Sequence, residues 1–263
     1  MRWLVAAAVL LALSSACGGA GTPGEPELLV GAASSMEPLF RDLGPAFERE
    51  SGAKVTFVYG SSGSLAVQIE RGAPIDVFAA ANPDFVTSLV EQGLVLNDRE
   101  TSFAEGRLVA IASFGPDPHT TWRDAVIDSH VRYVAIANPE VAPYGAAARR
   151  ALQQASLWET LRPKLVYGEN VGQVLQFVQS GNADVGFVAL AQIAADHPEG
   201  LTSLPVDRCE HGPLPQVIAR LERSARPALA ERFFDFVGSS ATKQTLERHG
   251  YTAANTFEGR SCE

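Results

Sequence analysis

The residues in this chain best placed to do chemistry are serines on glycine-rich turns. Residues 60–65 read GSSGSL, between the strand-like run Val55 to Tyr59 and the helix-like run Leu65 to Arg71. The stretch holds no Lys, Arg, His or Asp. A nucleophilic serine needs a base, and a phosphate loop usually carries a lysine. Three other turns share its character: GAASSM (31–36), NPEVAPYG (138–145) and YGENVG (167–172). Small residues let a ligand approach the backbone closely. Each turn runs into a helix-like segment, whose first N–H groups lack acceptors and whose dipole favours anions. None carries a basic side chain; Arg41, Arg71 and Arg149 come a turn or more into their helices.

That combination suits a small anion held wholly by neutral donors. A hydrogen bond to a charged group contributes roughly 1.5–3 kcal/mol net, so six or seven supply on the order of 10 kcal/mol before desolvation and closure costs. Such a sum supports submicromolar binding without a cation. An oxyanion that is fully deprotonated at neutral pH only accepts hydrogen bonds. Hydrogen phosphate also donates one, and its site calls for an acceptor such as Asp, which GSSGS lacks. Glu37 and Glu169 flank other turns and read as complements to helix dipoles.

Other chemistries fit less well. GSSGS nearly matches G-x-S-x-G, but Ser64 stands where the last glycine belongs, and no histidine carries a signature linking it to Ser62. His119, His130, His197, His211 and His249 lie in polar or loop contexts and read as solvated surface residues. A serine hydrolase is therefore a remote alternative, and no catalytic residue is assigned. There is no H-x-x-x-H or C-x-x-C, which argues against a dedicated metal site. No cofactor is expected.

The turns need elements to hold them. Strand-like runs at 28–32, 54–59, 75–79, 107–113, 132–137, 164–167 and 184–189 alternate with helical patterns at 36–50, 64–71, 83–92, 145–155, 171–180 and 226–248, the last broken near Gly238. Alternation of this kind predicts α/β architecture with mostly parallel sheets flanked by helices. In such sheets strand-to-helix turns lie at the carboxyl edge, where ligands bind. Gly44-Pro45 should kink or split the first helix. IERGAPIDVFAA (69–80) and VQSGNADVGFVA (178–189) echo one another: helix end, glycine stop, Asp, buried strand. Two lobes of similar construction would explain the echo. The chain would leave the first lobe near 104–107 and return near 213–218, giving a first lobe of 27–105 plus 214–255 and a second of 106–213.

The 263 residues, 46% of them hydrophobic, are ample for such cores. Residues 1–17 read as a secretion signal, with Arg2, an apolar run from Leu4 to Leu13, then SSAC. Ser14-x-Ala16 suits an ordinary signal peptidase; Leu13-Ser-Ser-Ala-Cys17 resembles a lipoprotein box. Cysteine arithmetic favours the second: Cys209 and Cys262 form a candidate disulfide, leaving Cys17 for lipid. Residues 18–26 read as a tether, and the protein as periplasmic or cell-surface, a monomer with a lipid anchor. Net charge is −9, or −10 once Arg2 is removed, which argues against nucleic acid as partner. It also leaves any anion to be held by local structure.

From about 27 to 252 the sequence resembles the bacterial periplasmic molybdate-binding proteins, the receptors of molybdate ABC transporters. The resemblance rests on AASSMEPLF, VTFVYGSSGSLAVQIERGAPIDVFAAA, NPEVAPYG, LRPKLVYGENVGQVL and GNADVGFVA, in that order. It implies a two-lobed type II periplasmic binding protein fold, with molybdate or tungstate in the cleft and a membrane permease as partner. Molybdenum would be bound only as the oxyanion. Sulfate or phosphate is the alternative ligand class. The family's contacts fall on Ser35, with Ser34 beside it, on Ser62, with Ser61 beside it, on the Tyr144 amide and on the Val171 amide. A tyrosine that some members use just after the strand ending at Val188 is here Ala189, so the fifth contact is either absent or supplied by the Tyr144 hydroxyl.

Overall fold

The computed structural model describes residues 27–115, 117, 120–194 and 198–253. The expected leader with Cys17, the tether, His119, His197 and Cys262 lie outside them. Strand β1 (Glu27–Ala33) ends in a 3-10 turn, Ser34–Met36, that opens α1 (Glu37–Ser51). Next, β2 (Lys54–Gly60) leads into α2 (Ser62–Glu70) and β3 (Val77–Ala80) into α3 (Pro83–Glu91), and β4 (Val95–Glu105) crosses to β5 (Leu108–Ala112). There follow α4 (Trp122–Ile127), β6 (Val134–Ala137), α5 (Pro143–Gln154), α6 (Trp158–Leu161), β7 (Leu165–Gly168) and α7 (Val171–Gln179). After β8 (Val185–Ala189), α8 (Ala191–Ala194), β9 (Thr202–Pro205) and α9 (Arg208–His211), the chain recrosses into β10 (Pro215–Leu221). It closes with α10 (Pro227–Gly238), α11 (Lys243–Arg248) and β11 (Thr252–Ala253).

The strands form two sheets, one ordered β11-β4-β10-β3-β1-β2 and the other β7-β6-β8-β5-β9. The sheets share no strand, so the molecule has two lobes linked by two crossings. Hydrogen bonding from Gly106 N–H to the Leu214 carbonyl (2.9 Å) ties the crossings together. An ion pair between Glu105 and Arg208 (2.6 Å) adds a side-chain brace.

The echo between 69–80 and 178–189 has a structural counterpart. In each lobe three parallel strands (β2-β1-β3, β7-β6-β8) are followed by an antiparallel one, β10 or β5. Gly72 and Gly181 both take left-handed backbone after a helix, at φ 88° and 73°. Asp76 Oδ2 then accepts the Leu29 N–H of β1 at 2.9 Å. Asp184 Oδ2 accepts the Arg132 and Tyr133 N–H groups at the start of β6, at 2.8 and 3.0 Å. The repeated Asp thus pins the strand beside it in both lobes.

Several expectations need correcting. The sheets are mixed, not mostly parallel. Strands β5 and β10 each begin at a crossing, so they must run away from the cleft while their neighbours run toward it. Helix α1 is unbroken through Pro45. Packing on both sides of the proline holds it: Phe40 stacks on Phe57 at 5.1 Å, and Phe47 meets Phe233 edge-on at 5.0 Å. The polar strand β4 left no periodic signal, because its register shifts and Asp98 takes a positive φ of 58°. His211 and His249 are buried, each 1% exposed. His249 Nε2 lies 2.9 Å from Asp42 Oδ2, and His211 sits behind the returning crossing, its carbonyl accepting from Arg150 at 2.9 Å. The break expected near Gly238 separates α10 from α11.

Alternate residues of β1 and β3 face opposite cores, as the pleat requires. On one face Phe40, Phe47 and Phe233 pack with α1 and α10; on the other Leu65, Ile69, Phe78 and Leu89 pack with α2 and α3. Phe233 is fully buried and touches three aromatic rings within about 6 Å. Phe233→Ala should cost about 3–5 kcal/mol of unfolding free energy, measured by urea denaturation.

Candidate anion-binding site

The four turns singled out in the sequence end β1, β2, β6 and β7 or the segments just after them, and they meet between the lobes. A small, narrow cavity lies there. It is lined by Ser34, Ser61 and Ser62 from one lobe and Tyr144, Asn170 and Val171 from the other, with alanine, glycine and proline between them. No charged residue lines it.

The local sequence explains each turn. Ser61 is the N-cap of α2: its Oγ accepts the Ser64 N–H at 3.2 Å and bonds to Ser64 Oγ at 2.7 Å. Its hydroxyl is therefore occupied with capping. Ser62 follows at the first helical position, where the N–H has no intrahelical acceptor. Ser62 Oγ accepts the Ala81 N–H at 3.0 Å, which leaves its own proton free to be donated. Asn170 caps α7 through the Gln173 N–H at 3.2 Å, placing Val171 at the corresponding first position. In α5 the first residue, Pro143, has no N–H, so the first donor is the Tyr144 amide. Gly145 makes this possible: a Cβ there would stand 2.1 Å from the Ala137 carbonyl oxygen at the end of β6. The Ser34–Met36 turn is braced from below by the Tyr251 hydroxyl, which donates to the Ser35 carbonyl at 3.0 Å.

Two hydroxyls stand out because nothing pairs with them. Ser35 Oγ and Tyr144 Oη are buried with no hydrogen-bond partner among the described residues, and buried polar groups in folded proteins nearly always have one. They come from opposite lobes. Burial, reinforced by the Glu105 charge, pushes the Tyr144 phenol far above its ordinary range, so it stays protonated and able to donate. Its oxygen packs against Gly106, where a Cβ would collide with it. Gly106 lies two residues before Leu108, the strand partner of Ala189.

The expected contacts thus separate. Ser34, Ser62, Tyr144 and Val171 come together at the cavity, Ser35 sits directly behind Ser34 with its hydroxyl unpaired, and Ser61 caps. Sequence reasoning missed Tyr251 and Gly106, because each matters through a partner remote in the chain. No base accompanies Ser62, whose hydroxyl partner is a backbone amide. Burial lowers the pKa of His211 and keeps it neutral. Among the described residues no group of three or more His, Cys, Asp or Glu could hold a metal ion, and no helix is long and apolar enough to cross a membrane.

Two α/β lobes, crossing strands and helix N-termini aimed at an uncharged cavity between them define a binding protein of the type II periplasmic class. The chain belongs to the bacterial extracellular solute-binding protein family, which it matches over residues 28–252. It is 34% identical over 226 residues to the molybdate-binding protein ModA of Rhodobacter capsulatus, covering 86% of this chain and 88% of that one. The solved periplasmic molybdate-binding protein of Azotobacter vinelandii superposes with a TM-score of 0.80 at 30% identity, over 86% of this chain and 98% of that one. A putative ABC transporter substrate-binding lipoprotein of Bacillus subtilis, YvgL, is 27% identical over 86% of each chain. The family places the protein outside the cytoplasm.

Gly145→Ala should cost about 1–3 kcal/mol or more through overpacking against backbone and should displace the Tyr144 amide. Thermal unfolding and ligand titration of the same variant would show both losses.

Proposed function

We propose that this chain is the receptor of an ABC importer and binds molybdate, with tungstate as a second ligand, in the cavity between its lobes. The observation that carries the reading is a cavity between the lobes that no charged residue lines and that Ser34, Ser62, Tyr144 and Val171 reach from opposite sides; Ser35 Oγ and Tyr144 Oη, one from each lobe, are buried with no hydrogen-bond partner among the described residues. The names of the relatives support the same ligand. Donors would be the Ser62, Tyr144 and Val171 amides and the Ser35, Ser62 and Tyr144 hydroxyls, with Ser34 adjacent. The Tyr144 hydroxyl reaches the strand neighbourhood of Ala189, where the absent tyrosine would stand. All these groups donate, which suits an oxyanion with no proton of its own.

In this mechanism the anion binds one lobe, bridges to the other and stabilises the closed form. The lobes, 27–105 with 214–255 and 106–213, would turn about the paired crossings. The closed receptor docks on a membrane permease, which opens it and takes the ion; no bond is made or broken. A lipid on Cys17 would tether a monomeric receptor to the membrane. Cys209 is disulfide-bonded, and Cys262 is its proposed partner.

Calorimetric titration with molybdate, tungstate, sulfate and phosphate tests the ligand; tight binding of phosphate but not molybdate would overturn the reading. Ser35→Ala and Tyr144→Phe should each weaken molybdate binding by roughly 1.5–3 kcal/mol while leaving the unliganded protein as stable as before, because neither hydroxyl has a protein partner to lose. Ser62→Ala should lower affinity and stability together, since it strands the buried Ala81 N–H at about 1–3 kcal/mol. Affinity should stay flat from about pH 6 to 8. The titratable residue lining the cavity, Tyr144, has its pKa raised, so it neither gains nor loses a proton in that window. Isothermal titrations in buffers of different ionisation heat would reveal any proton exchange.

A further inference from the structure

Gln192 is a buried polar side chain on α8, a four-residue helix that follows β8 in the second lobe. This short helix packs against the Ser34–Met36 turn and α1 of the first lobe. Gln192 is only 6% exposed. Its Oε1 accepts the Ala189 N–H at 3.2 Å. That bond settles which end of the amide is which, because the reverse orientation would set donor against donor. Nε2 is therefore directed away from β8. A Cβ built on Gly172, the second residue of α7, would lie 3.9 Å from Gln192 Nε2, 3.7 Å from Ser34 Cβ and 3.1 Å from Asn170 Oδ1. Nε2 thus stands where the N-terminus of α7 faces Ser34 across the cleft, beside residues that line the cavity. Nε2 makes no hydrogen bond to any described residue, and it is not among the fully enclosed unpaired atoms, so its two N–H groups are reachable by a ligand.

We propose that Gln192 is a further specificity-determining residue, its Nε2 donating to an oxygen of the bound oxyanion. The inference rests on the oxyanion reading of the cavity. Position 189 supplies no side-chain hydroxyl, and its backbone N–H instead orients a donor three residues on. Because α8 belongs to one lobe and packs on the other, the contact is completed on closure and slows release. A fixed neutral donor also disfavours hydrogen phosphate, whose P–OH would meet N–H groups, while accepting fully ionised oxyanions.

The test compares wild type, Gln192→Glu and Gln192→Ala by calorimetry with molybdate from about pH 5.5 to 8. Gln192→Glu keeps the size and the acceptor for the Ala189 N–H but turns a carboxylate toward the dianion. It should bind at least about tenfold more weakly at pH 8 and recover affinity as pH falls toward the glutamate range. Gln192→Ala should be weaker by a similar factor at every pH. Affinity of Gln192→Glu within about twofold of wild type at pH 8, or a loss that does not vary with pH, would overturn the proposal. Failure of wild type itself to bind molybdate would bring down the ligand reading, and this inference with it. Tight wild-type binding with an unaffected Gln192→Glu would remove this inference alone.

Discussion

The structure is organised around one electrostatic constraint: an anion buried without a counter-charge must be met by hydrogen-bond donors on every side. Taking an ion out of water costs several kcal/mol even in a relaxed protein site. With a net charge of −9 the chain gains nothing from its overall field. Backbone amides at helix N-termini answer the problem because they are oriented before any ligand arrives and carry no side-chain entropy to lose. They must converge from more than one direction, however, and a single lobe presents its strand ends along only one edge. Two lobes facing each other across a cleft would surround such an ion, and Ser62 on one side and Tyr144 and Val171 on the other occupy first-turn positions of their helices.

The repeated construction of the lobes follows from the same need. Each sheet carries three parallel strands whose carboxyl ends reach the cleft, and each is pinned by an Asp that accepts backbone N–H groups of the neighbouring strand. The crossings add the antiparallel strands and bring Gly106 against the Tyr144 hydroxyl. The lobes also touch directly. Gly63 N–H donates to the Val141 carbonyl at 2.9 Å, joining α2 of one lobe to the turn before α5 of the other. A Cβ at Gly63 would stand 3.0 Å from that carbonyl oxygen and as close to the Phe85 ring, so the glycine lets the lobes approach as well as letting the turn form.

The convergence of the candidate site's turns was legible in the sequence because its key units are local. A strand, a few small residues and a helix start are neighbours in the chain, so GSSGSL or APYG announces a donor turn without knowledge of the fold. The glycine stops at Gly72 and Gly181 were readable for the same reason. What escaped depends on residues far apart in the chain. Tyr251 braces Ser35 from 216 positions away. Whether Ser61 or Ser62 has a hydroxyl to spare is decided by Ala81 and Ser64. His211 and His249 look polar in sequence and are buried by the crossing and by Asp42. The mixed sheets follow from where the chain crosses between lobes, which periodicity within one strand does not encode, and β4 hid behind a polar, bulged stretch.

The most direct test is a crystal structure of the complex grown with molybdate. The oxyanion should sit between the lobes, its oxygens within hydrogen-bond reach of the Ser62, Tyr144 and Val171 amides and of the Ser35 hydroxyl, with no arginine or lysine touching it. A basic side chain on any of its oxygens, or an ion bound away from the cleft, would contradict the claim that neutral donors alone hold it.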